Sequence, residues 1–314
     1  MCGEDRRTLF HEGLNLKISN SMMTSCVMLT TVMLLWSLGI IVAKGVSELV
    51  NPIGFSFWRW IVAAAVLTPF VFLQFVSQRR VILQKWPYYF LLGLFMAGGS
   101  TMLMWSVQYT SATNVALFSA SQPMVTALMT WVILKDAPTR LQLSGMIAAL
   151  IGIVVMATRM DIRVLLDLTF NLGDLFVLVA VLFYSLYSVN LHRWFTDVPP
   201  FLMMYLTVLG GIVILIPFYG YELQSLGSFH PSIKVCFAIA FMATIPTIVA
   251  TTMWNVSVGV VGANRASIFL SLLPLFGIGL AVSFLGEALL NYHFVGAFLI
   301  CAGIVAVVWP QDSL

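Results

Sequence analysis

Charge is what this sequence has least of. Only 9% of its 314 residues are Asp, Glu, Lys or Arg, while 61% are hydrophobic. A soluble domain carries about 25% charged residues, needed to cover its surface. A soluble globular protein is therefore excluded, and a polytopic membrane protein in a lipid bilayer is expected. The net charge of +3 is scattered along the chain, with no basic run longer than a pair. Arg6-Arg7 is too short for a polybasic lipid patch, and no nucleic-acid partner is expected. Cysteine is equally uninformative. Cys2, Cys26, Cys236 and Cys301 form no CxxC pair and no Cys/His cluster, so no disulfide framework, metal site or cofactor is expected. The three that fall in apolar segments read as small membrane-buried residues.

What the chain does have is long apolar runs. A transmembrane helix needs about 20 predominantly apolar residues. Ten segments qualify: Ser25–Ala43, Ile53–Phe75, Tyr88–Val107, Val115–Leu134, Leu141–Ala157, Leu175–Leu191, Pro200–Tyr219, Ile233–Val256, Ile268–Leu285 and Phe294–Trp309. The first 24 residues carry Glu4, Asp5 and Glu12 and have no apolar core before Ser21. They read as a polar cytoplasmic tail rather than a cleaved signal. The longest connection is Thr158–Asp174, with Arg159, Asp161, Arg163, Asp167 and Asp174.

The runs also repeat. Pro52, Pro69 and Ser37 return as Pro200, Pro217 and Ser185 at an offset of 148 residues. Further on, Pro123, Leu134, Ala137, Gly145 and Gly152-Ile153-Val154 return as Pro274, Leu285, Ala288, Gly296 and Gly303-Ile304-Val305 at an offset of 151. The expected layout is a first repeat over 25–157, a linker over 158–174, a second repeat over 175–309 and a short tail over 310–314. With the N-terminus inside, Arg6, Arg7, Lys17, Arg79, Arg80, Lys85, Lys135, Arg140, Arg193 and Arg265 fall on the cytoplasmic side. Lys44, Arg159, Arg163 and Lys234 fall on the other, an asymmetry that puts both termini in the cytoplasm. Five helices per half is odd, so the two repeats are inverted in the membrane, the arrangement that alternating access uses.

At the level of motifs the chain resembles a known family. Leu35-Trp36-Ser37, Lys44, Pro52 and Arg59 look like the opening of an EamA-type repeat of the drug/metabolite transporter superfamily. Pro123, Leu134, Gly145 and Gly152 continue it, and Ala263, Pro274, Leu285-Gly286-Glu287, Gly296 and Gly303 match it a second time. The first repeat departs from the pattern with Lys135-Asp136 where the second has Gly286-Glu287. The resemblance runs from about Ser25 to Trp309. It implies ten helices, cytoplasmic termini, and export or exchange of small organic metabolites such as amino acids through a cavity shared by both halves.

Individual residues then become candidates for that cavity. Arg59 is the only basic residue well inside a predicted helix, where an arginine costs about 2.5–3.5 kcal/mol to insert. It reads as a bidentate clamp on a substrate carboxylate. The alternative is an interfacial anchor in which Trp58 and Trp60 flank a snorkelling arginine. Trp36-Ser37 and Tyr184-Ser185 are equivalent aromatic–hydroxyl pairs on the first helix of each repeat, suited to a common wall or to helix packing. Trp105 and Gln108, with Trp254 and Asn255, form a second set that reads as substrate-binding or as aromatic belt. Pro123 and Pro274 read as symmetric hinges or static bends. Ala148, Gly152, Gly296 and Gly303 suit close packing, within a protomer or at a homodimer seam.

No Asp or Glu lies in the middle of any segment: Asp136, Asp174, Glu222 and Glu287 are near ends or in loops, as are His192 and His293. Proton-coupled carriers commonly use a buried carboxylate or histidine, so a facilitator or exchanger is expected. No cluster of ionisable residues at a common depth offers catalytic groups, which argues against an intramembrane lipid-modifying enzyme. A non-transporting scaffold has no need of two interconvertible halves. The expected function is a multi-pass transporter of the cell (inner) membrane for a small organic molecule, an amino acid or a related compound.

Overall fold

The structure is a computed structural model that describes residues 22–167, 170–194, 198–285 and 289–308, with the side chains of 107, 108, 112, 165, 194, 281, 284 and 285 excepted. All elements among these residues are helical. Ten spans are long and apolar enough to cross a membrane. They are α1 (Met22–Val46), α2 (Pro52–Ser77), α3 (Arg79–Tyr109), α4 (Thr113–Leu134) and α5 (Arg140–Ala157). The second five are α6 (Leu172–Trp194), α7 (Pro200–Leu226), α8 (Ile233–Val261), α9 (Ala263–Leu280) and α10 (Asn291–Val308).

Local chemistry sets the ends of these helices. Pro52 and Pro200 open α2 and α7, where a missing N–H goes unused. Thr139 and Gln142 form a reciprocal capping box at the start of α5. Ser232 accepts from Val235 N to start α8. At the start of α6, Asn171 and Asp174 cap each other's amides. The Asp174 carboxylate is fully buried and also accepts from Thr110 at 2.6 Å and Asn114 at 3.1 Å. That cluster ties the start of α6 to the end of α3 and the start of α4.

Four segments differ from the sequence expectation. Arg79, Arg80 and Lys85, read as loop, lie on the first turns of α3, which begins nine residues before the expected Tyr88. The stretch is amphipathic, with Ile82 buried and Arg79 and Arg80 exposed, so it continues the helix outside the apolar run. The α4 span breaks into Ala112–Ser119 and Gln122–Leu134. Pro123 therefore sits in the first turn of the second piece and not mid-helix. Pro274 is placed likewise, second in the helix Leu273–Leu285 after a 3₁₀ turn over Ile268–Leu272. Within the linker, a single helical turn spans Ile162–Leu166. Gly286 and Glu287, and the tails at 1–21 and 309–314, lie outside the described residues.

The helices pair across the duplication. α5 packs on α10, α2 on α7, α3 on α6 and α7, and α1 on α8 and α9. The α5–α10 seam is the closest. A Cβ on Gly145 would stand 2.6 Å from the Gly303 carbonyl oxygen, and one on Gly152 2.8 Å from that of Gly296. No side chain fits there, so these glycines are spent on packing within one chain.

Candidate functional site

Helices α2, α3 and α6 meet at Arg59. Arg59 Nη2 donates to Ser100 Oγ at 3.1 Å. The Tyr184 hydroxyl shares Ser100 and lies beside the guanidinium. Tyr184 reaches this point because its ring lies over Gly99, whose absent Cβ would stand 3.2 Å from it. Arg59 Nε is buried and has no hydrogen-bond partner among the described residues. Arg59, Ser100 and Tyr184 all keep part of their surface uncovered although they lie deep in the protein. Together they present one guanidinium and two hydroxyls, a donor set that fits an anionic oxygen.

The flanking tryptophans differ in burial. Trp60 is 1% exposed and packs in the core against Gly211, whereas Trp58 is exposed and donates from Nε1 to the Tyr219 hydroxyl at 3.1 Å. Two residues apart, they stand about 200° from each other around the helix and face opposite surroundings, which leaves Arg59 facing α3 and α6.

The second sequence-predicted set divides. Trp36 and Trp254 come together with ring centroids 5.4 Å apart. Trp36 Nε1 donates to the Pro246 carbonyl at 3.1 Å, pinning α1 to α8. Pro246 lies in a π-helical turn over Ala243–Ala250, and π turns leave backbone groups free for other partners. Lacking an N–H, Pro246 cannot bond the Met242 carbonyl. The Thr247 hydroxyl does so at 2.8 Å. Asn255 is fully buried and accepts from the Tyr187 hydroxyl at 2.9 Å, with its Nδ2 unpartnered among the described residues. Trp105 sits apart, between Phe176 of α6 and Phe218 of α7. Gln108 is on the same helix, and its side chain lies outside the described residues.

Ser37 and Ser185 are both buried, and each bonds across the two repeats. Ser37 Oγ donates to the Leu273 carbonyl at 3.2 Å, and Ser185 Oγ accepts from Thr126 at 3.0 Å. Each joins the first helix of one repeat to the proline-bearing helix of the other. Sequence reading had no means of finding Ser100, Tyr187 or Thr126, because each is one of many hydroxyls in apolar helices. Pro246 could have been found, as an interior proline in a predicted span.

Ten apolar helices in two inverted five-helix repeats define a polytopic membrane protein of the transporter class. The pattern of the EamA-like transporter family matches twice, at residues 23–158 and 171–309. The chain belongs to that family. It is 27% identical over 257 residues to the uncharacterized transporter YyaM of Bacillus subtilis (strain 168), covering 81% of this chain and 84% of that one. An uncharacterized transporter of Archaeoglobus fulgidus is 22% identical over 281 residues, 89% of this chain and 84% of its own. A crystal structure superposes with a TM-score of 0.76 at 18% identity, covering 91% of this chain and 96% of its own.

Proposed function

We propose that this membrane transporter carries a small organic metabolite, an amino acid or related compound, by alternating access at a cavity between its repeats. The reading places it in the cell membrane with both termini cytoplasmic. Its substrate contacts are Arg59, Tyr184 and Ser185, with Trp36, Ser37, Trp105, Gln108, Trp254 and Asn255 around them, and Pro123 and Pro274 are its hinges. The observation that carries the reading is Arg59: a deep guanidinium bonded to Ser100, with Nε buried and unpartnered among the described residues. A substrate carboxylate supplies the missing charge and accepts from Nε and Nη2 together. The tryptophans then serve the apolar part of the substrate.

The test is a stabilisation screen of the purified protein with amino acids, keto acids, nucleosides and vitamins, followed by uptake into proteoliposomes. A ligand of the folded state raises the apparent melting temperature by mass action. A carboxylate hit that is also carried across sealed vesicles supports the reading. Hits confined to uncharged compounds refute the role of Arg59, and a ligand that is bound but never transported refutes the carrier.

A further inference from the structure

The two ends of the α2–α7 contact are related by the duplication but are not alike. At one end α2 begins at Pro52, and Glu222 of α7 reaches across to its first turn. Glu222 Oε2 accepts from Ile53 N at 3.0 Å and Oε1 from Gly54 N at 2.6 Å. The carboxylate is 5% exposed. Around it, Phe57 stacks on Tyr219 with centroids 4.6 Å apart, and Asn51 Nδ2 donates to the Gly227 carbonyl at 3.0 Å. A carboxylate on free first-turn amides gains both charge-assisted hydrogen bonds and the helix dipole.

The 148-residue offset carries Pro52 onto Pro200, Ile53 and Gly54 onto Phe201 and Leu202, Phe57 onto Tyr205, and Glu222 onto Gln74. At this opposite end the Gln74 Oε1 is buried without a hydrogen-bond partner among the described residues. The aromatic contact has slipped as well. Tyr205 meets Phe75 edge-on at 6.1 Å, one helical turn beyond Val71, the position equivalent to Tyr219. One end is engaged, and the other holds an unused acceptor at the matching place.

We infer that Glu222 and Gln74 are the two halves of a reciprocal latch between α2 and α7. In this structure Glu222 holds the Pro52 end shut. In the opposite state Glu222 releases Ile53 and Gly54, and the Gln74 amide oxygen takes the first-turn amides of Phe201 and Leu202. The latch rests on the alternating-access reading and adds an unequal strength to it. A carboxylate caps more strongly than a neutral amide, so the resting protein favours the state closed at the Pro52 end.

The test uses spin-label distances in liposomes without substrate, in a background with the four cysteines replaced. Leu49→Cys with Leu226→Cys reports the Pro52 end, and Val76→Cys with Phe201→Cys the Pro200 end. All four positions are exposed. Glu222→Ala is expected to raise the ratio of open to closed Pro52 ends by about tenfold or more, since it removes both charge-assisted hydrogen bonds, while the Pro200 pair shortens in step. Gln74→Glu is expected to move both pairs the same way, and the exchange Glu222→Gln with Gln74→Glu to invert the wild-type bias. Should Glu222→Ala not fold, Glu222→Gln and Gln74→Glu carry the same comparison. Distances that ignore Gln74→Glu, or ends that respond independently, overturn the latch. Because no substrate is present, a chain that transports but shows unchanged distances loses the latch alone. A chain whose ends exchange but which carries nothing loses the proposed function alone.

Discussion

Replacing Arg59 by lysine and by glutamine separates its effect on binding from its effect on folding. The guanidinium holds Ser100 with Nη2 and has Nε in reserve. Lysine keeps the charge but loses the planar fork, and with it one hydrogen bond to a charged partner, about 1.5–3 kcal/mol. Carboxylate affinity should fall about tenfold to a hundredfold at similar expression. Glutamine removes the charge altogether, so carboxylate binding should be lost beyond detection. The same change relieves the protein of an arginine whose insertion at bilayer depth costs about 2.5–3.5 kcal/mol. Ligand-free Arg59→Gln should therefore melt above the wild type while gaining nothing from ligand. The assay is the melting temperature with and without saturating carboxylate, paired with counterflow in proteoliposomes. A glutamine variant that binds and transports like the wild type refutes the clamp. One that is less stable without ligand shows that Arg59 already has its countercharge.

At the α5–α10 seam, Gly145→Val drives a side chain into the Gly303 carbonyl and should destabilise by about 1–3 kcal/mol or more. Gly220→Ala, with open space around its Cβ, should be neutral or slightly stabilising, and thermal unfolding in detergent compares the two. Asp174→Ala leaves Asn171, Asn114 and Thr110 without their shared acceptor and should lower stability by about 1–3 kcal/mol, with Asp174→Asn retaining part of it. Reporter fusions after Val308 and within 158–167 should report opposite sides of the membrane. Two reporters on one side would refute the inverted arrangement.

Much of the architecture is local and so was legible in the chain. Ten apolar stretches of membrane-crossing length need no knowledge of neighbours, because the requirement is length and composition alone. The duplication was legible for the same reason: Pro52, Pro69 and Ser37 recur as Pro200, Pro217 and Ser185 whatever the fold does with them. The isolation of Arg59 could also be read directly, since no other cation lies so far inside an apolar run.

Tertiary structure decided which way each residue faces. In an apolar helix every face is hydrophobic, so periodicity carries no signal for rotation. That is why Ser100 and Tyr184 could not be read from the chain as the neighbours of Arg59. It is also why Ser37 and Ser185, equivalent by sequence, could not be assigned to cross-repeat bonds with Leu273 and Thr126. Pro123 and Pro274 moved from mid-helix to the joints of broken spans, because a proline lacks the N–H that would bond the preceding turn and only neighbouring helices decide where the span breaks. Glu222 read as a terminal acid until α2 placed two amides against it. The ends of a helix are fixed by its own residues, whereas the partner of a polar group is fixed by the helix that packs against it.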